Sequence, residues 1–195
     1  MFLIVIEKVA DTSWMIALAF VFQAISFQYM SYCKNQLHTD LLPPDYRFGY
    51  TYEDLYEFYD AIGPEGCEFY KKHALVDLFP YMQTYALIGG AFLLNQLRPL
   101  NWNAKVALIF PMAMVMDIIE TIIPAHGCNL YFPGGRKLSK ELVEAAASAN
   151  QLKWTQFGLG MTLLSVLFLY NSIRPPVKEG ETERGGQDIS AKKEN

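Results

Sequence analysis

Residues 73–123 constrain this chain more than any other stretch. They hold two apolar runs, HALVDLFPYMQTYALIGGAFLLNQL (73–97) and WNAKVALIFPMAMVMDIIETII (102–123), joined by residues 98–101. Each run is at least 20 residues long. At about 1.5 Å per residue, a helix of that length covers a hydrocarbon core of roughly 30 Å. So short a joint makes the pair an antiparallel hairpin. Three acids, Asp77, Asp117 and Glu120, sit inside this otherwise apolar hairpin.

A mean hydropathy of +0.11 would also suit a soluble domain, so the average does not decide. Distribution does. Charges fall in the gaps between four long segments almost free of Lys and Arg, residues 14–32, 74–97, 102–123 and 154–173. The expected fold is all-α, a polytopic membrane protein of four transmembrane helices (1–173) followed by a polar tail (174–195). A net charge of -4 leaves no basic stripe to neutralise phosphates, which excludes nucleic acid as a partner.

The start, MFLIVIEKVADTS, is too short in its apolar part for a secretory signal, and Glu7 and Asp11 stand where basic residues belong. Thr12 or Ser13 can cap the first span, and Gln23, Ser26 and Gln28 give it a polar side that should face other helices. Residues 33–72 then leave the membrane. LLPPDYRFG is non-helical through Pro43 and Pro44. Thr51 caps a short helix with Glu53 and Asp54 in its first turn, and Tyr52, Leu55, Tyr56 and Tyr59 form an amphipathic stripe for the membrane surface or the other helices. Gly63 ends that helix, and Pro64 opens another that runs into the second span.

Pro80 and Pro111 should kink the middle spans. Gly89, Gly90, Ala91, Gly158 and Gly160 are close-packing positions. Pro124 begins a second excursion, turn-rich around Pro133 to Gly135, and Ser139 starts the helix that continues into the fourth span. Cys33, Cys67 and Cys128 show no zinc spacing and read as buried residues or free thiols; all three fall on one side of the membrane, so one disulfide there stays open. The sixteen Lys and Arg divide evenly between the two sides, which leaves orientation undecided.

In the antiparallel hairpin all three acids occupy one leaflet, roughly 5 to 9 Å below its edge at 1.5 Å rise. Asp117 and Glu120 share a helix face, and His73 lies four residues before Asp77. An acid at that depth costs on the order of 2.5 kcal/mol or more, so it should face the bundle interior. The leading reading is structural, with Lys71, Lys72 or Lys153 reaching down and Gln83, Thr84 and Thr121 donating hydrogen bonds. Other readings are a proton path or lipid site, an acid–base site in a small isomerase or lipid-modifying enzyme (His73, Asp77, Asp117, Glu120), and a metal site that adds His126. A dimetal bundle wants Glu-x-x-His. Here the helices give His-x-x-x-Asp and Asp-x-x-Glu.

The run GYTYEDLYEFYDAIGPEGCEFYKKHALVDLFPYMQTY, followed by FPMAMVMDIIET, resembles a loosely defined group of small four-helix membrane proteins found widely in bacteria. The likeness covers residues 49–121 and implies only the four-span fold and a shared pattern of acids.

The function expected is that of a non-catalytic accessory subunit of a large membrane complex, in the respiratory chain or ATP synthase of the mitochondrial inner membrane. Its partners would be the other subunits and lipids. No cofactor is expected, and a bound phospholipid is the one ligand admitted. The tail should be disordered by composition, and order there would require a partner. Lys192-Lys193-Glu194-Asn195 has the form of a dilysine retrieval signal, which makes the endoplasmic reticulum the alternative location.

Overall fold

A computed structural model describes residues 1–132 and 134–174, whose regular structure is helical, with no strand among them. The expectations for the tail beyond Arg174 fall outside the described residues. Helix α1 (Phe2–Ala10) is followed by α2 (Ser13–Asn35) and α3 (Tyr52–Val76). A π-helical turn (Asp77–Tyr81) leads into α4 (Met82–Leu97). Then come α5 (Ile109–Tyr131) and α6 (Lys140–Ile173). Among the described residues three segments are long and apolar enough to cross a membrane: Ser13–Asn35, Ala104–Tyr131 and Lys140–Ile173.

The run 74–97 does not form one helix. It breaks at Asp77–Tyr81, where Phe79 is extended ahead of Pro80, and α4 has only 16 residues. The backbone freed there is satisfied locally. Gln83 donates to the Leu78 carbonyl at 2.7 Å, and the Thr84 hydroxyl lies 3.1 and 2.8 Å from the carbonyls of Pro80 and Tyr81.

The other prolines behave differently. Pro111 falls in the first turn of α5, where its missing N–H costs no intrahelical bond, so the expected kink does not arise. Pro124 does not end its helix either, and α5 runs on to Tyr131. The last turns are held from outside. Tyr59 donates to the Pro124 carbonyl at 2.5 Å, Gly127 packs on the Tyr59 ring, and Cys128 is disulfide-bonded to Cys67. Cys33 is a buried free thiol.

In α3 the local rules hold. Thr51 and Asp54 form a reciprocal capping box, with the Thr51 N–H 2.7 Å from Asp54 Oδ2 and the Asp54 N–H 3.1 Å from Thr51 Oγ1. These bonds hold the Asp54 carboxyl below its usual pKa range. Gly63 sits at φ +65°, a left-handed residue that separates the two halves of α3. The stripe of Leu55, Tyr56 and Tyr59 packs with Phe58 and Tyr70 onto Cys128, Leu138, Val143 and Ala146, so α3 shares one core with the end of α5 and the start of α6.

At the opposite end, α1 supplies Ile6 to a second core with Leu93, Leu94, Leu97, Phe110 and Leu167. Phe110 is clamped between glycines: a Cβ at Gly89 would stand 2.7 Å from its ring and one at Gly160 2.9 Å. Gly158 faces open space, so it packs against no other helix among the described residues. Long stretches of α2 and α6, including Val21, Ile25, Val166 and Leu169, present their side chains outward.

Candidate functional site

The polar centre lies between the excursion core and the small Met82–Ala86–Met114 cluster. Asp117 and Glu120, three residues apart on one face of α5, meet Lys153 of α6. The lysine Nζ is 2.9 Å from Asp117 Oδ1 and 3.1 Å from Glu120 Oε2. It also donates to the Asp45 backbone carbonyl at 3.3 Å. Asp77, from the broken turn, accepts from Thr121 at 3.2 Å, and Asp117 accepts at its other oxygen from Tyr85 at 3.0 Å. Asp77, Asp117, Glu120 and Lys153 are all buried.

Of the three lysines able to reach down, only Lys153 does so. Lys71 pairs with Glu68 and Asn129 near the surface, and Lys72 stands over the Phe69 ring. His73 is buried and forms no hydrogen bond or ion pair with the carboxylates among the described residues; its Nε2 lies 3.2 Å from the Tyr46 hydroxyl and its ring stacks on Tyr70. His126 is exposed; six residues beyond Glu120, it falls on another face of α5. Among the described residues no three His, Cys, Asp or Glu side chains converge as a metal-ligand group.

The chain reading did not anticipate Asp45, Tyr46, Tyr85 and Asn150. The first two arrive on a single 3-10 turn (Pro44–Tyr46) that follows the extended Pro43. Asn150 fastens this loop to α6 by donating to the Pro44 carbonyl and accepting from the Gly49 N–H, each at 3.2 Å. Among the described residues, Asp45 Oδ1, Tyr50 Oη and Glu120 Oε1 are buried without a hydrogen-bond partner. Burial pushes the Tyr46 and Tyr50 hydroxyls well above the usual phenol range, so both keep their protons. Beside the cluster is a cavity of about 240 Å³ lined by Asp45, Asp77 and Asp117 together with aromatic side chains.

The class these features define, among the described residues, is an all-helical protein with three helices long and apolar enough to cross a membrane, built around a buried lysine–carboxylate centre. No family model, curated protein or solved structure matches the chain.

Proposed function

We propose that this is a four-span integral membrane protein acting as a non-catalytic accessory subunit of a larger membrane complex. The fourth crossing is the broken turn together with α4, packed between α1, α2 and α5. The observation that carries the non-catalytic reading is the engagement of Lys153. One cation ties two carboxylates of α5 to the backbone of the first excursion, an arrangement suited to fixing helix register. The outward apolar side chains of α2 and α6 supply the area that lipid or partner helices would cover.

The setting we propose is an energy-converting organelle membrane, the mitochondrial inner membrane, with both excursions on the oxidising side. The Cys67–Cys128 bond links the two excursions, and disulfides persist in oxidising compartments. Native electrophoresis after mild detergent extraction tests the subunit reading. The chain should migrate in a species far larger than its own 22.2 kDa; migration as a free monomer would overturn it. A Lys140→Cys variant should react with a membrane-impermeant maleimide only from the oxidising face.

A further inference from the structure

The cavity beside the cluster opens between α2 and α6. Its rim carries Phe27 and Trp154, both substantially exposed, and its interior carries carboxylates. Lys153 faces the same space, but Asp117 and Glu120 already bracket its ammonium. Two acids are left without a cation among the described residues. Asp77 accepts one hydrogen bond, from Thr121. Asp45 is 9% exposed, lines the cavity, and its Oδ1 has no hydrogen-bond partner among the described residues. Lys34 stands over the outer ring of the loop, 4.8 Å from the Tyr46 centroid, and forms no ion pair among the described residues. A buried carboxylate is costly without a paired charge or full hydrogen bonding.

The cavity's shape narrows the chemistry. A volume of about 240 Å³, at roughly 30 Å³ per water-sized group, admits a head of about eight such groups. That fits a primary ammonium with its first methylenes. The ammonium brings three donors and a charge, and Tyr46 and Tyr81 are among the aromatic residues that line the cavity, a type of side chain that attracts cations. A phosphate-bearing head would meet Asp45, Asp77 and Asp117 and be repelled. The rim residues lie on two helices apolar enough to span a membrane, so an alkyl tail can leave sideways into lipid.

We propose that this cavity binds the ammonium head of a single-chain amphiphilic amine, with the head between Asp45 and Asp77 and the tail passing Phe27 and Trp154. The inference rests on the membrane reading above and is independent of any partner complex. Alkaline carbonate extraction would release the protein if the membrane reading were wrong, which separates that failure from a failure to bind.

The test uses the full chain in phosphatidylcholine nanodiscs and three chain-matched probes, dodecylamine, dodecanol and dodecanoate, at equal mole fractions in the bilayer. Dodecylamine should raise the melting temperature saturably, with an apparent affinity at least about tenfold better than the other two. Asp45→Asn and Asp77→Asn should each weaken that response about tenfold or more, the scale of one lost charge-assisted contact. Equal binding of dodecanol would overturn the proposal, since a hydroxyl would then suffice. Preference for dodecanoate would overturn it too, with Lys153 as the anchor. An unchanged amine response in both variants would mean bilayer partitioning alone. If a variant does not fold, the ranking of the three probes on the natural chain still decides.

Discussion

Replacing Lys153 by methionine should be the most damaging single change to this fold. Methionine keeps the length and apolar stem of lysine and removes only the ammonium. What is lost is a cation 2.9 Å from Asp117 and 3.1 Å from Glu120, together with a donor to the Asp45 carbonyl. Lys153 is 7% exposed and Glu120 fully buried, so at Glu120 no bulk water replaces the lost ammonium. Breaking a buried pair in this way costs about 3–5 kcal/mol, most of it the penalty of carboxylates left unpaired. At about 2–4 °C per kcal/mol for a chain of this size, the melting temperature should fall by roughly 6–20 °C. Thermal unfolding at pH 7 in mild detergent measures it. The decisive comparison adds Asp117→Asn and Glu120→Gln to Lys153→Met. With the orphaned charges gone, the triple variant should recover more than half of the loss. A single variant melting within about 2 °C of the natural chain, or a triple variant no better than the single, would refute the reasoning.

Two further measurements probe packing and capping. Gly89→Ala should destabilise by about 1–2 kcal/mol, because overpacking against the clamped Phe110 ring outweighs the helix propensity gained, whereas Gly158→Ala, facing open space, should gain up to about 1 kcal/mol; melting shifts of the same sign would sink the distinction. Asp54→Ala removes half of the capping box and should cost about 1 kcal/mol at neutral pH. Since the Asp54 carboxyl is held below its unfolded value, its stabilisation is complete above about pH 4 and is lost as pH falls through the lower folded value. The melting gap between variant and natural chain should therefore stay constant from neutral pH to about 5 and close in stronger acid.

What the chain made legible was local. The Thr51 cap, the break at Gly63 and the long helix opened at Ser139 each follow from a few adjacent residues, and the structure carries all three. Asp117, Glu120 and Asp77 could be brought to one level because spacing on a helix and the short hairpin joint fix their heights. Contacts decided by distant partners could not be read. The last turns of α5 beyond Pro124 depend on Tyr59 and Cys67, more than fifty residues away. The nine residues of α1 are helical in the company of Gly90 and Leu93, and little in their own pattern announces it. Gly158 and Gly160 look alike in the chain, yet two residues apart on a helix they point to different sides. Asp45 reached the polar centre on a proline-rich loop, and no periodicity governs where such a loop lands.

The interruption at Asp77–Tyr81 also bears on how the molecule is made. At about 1.5 Å per residue, the 16 residues of α4 span about 24 Å, short of a hydrocarbon core, and the turn before it carries irregular backbone and a carboxylate. Lipid cannot solvate either of these. If α4 is the fourth crossing proposed above, this segment has no stable resting place alone in the bilayer as it leaves the ribosome. On that proposal it waits, sheltered by the insertion machinery, until α5 emerges with Thr121, and the two partition into the membrane as one hairpin.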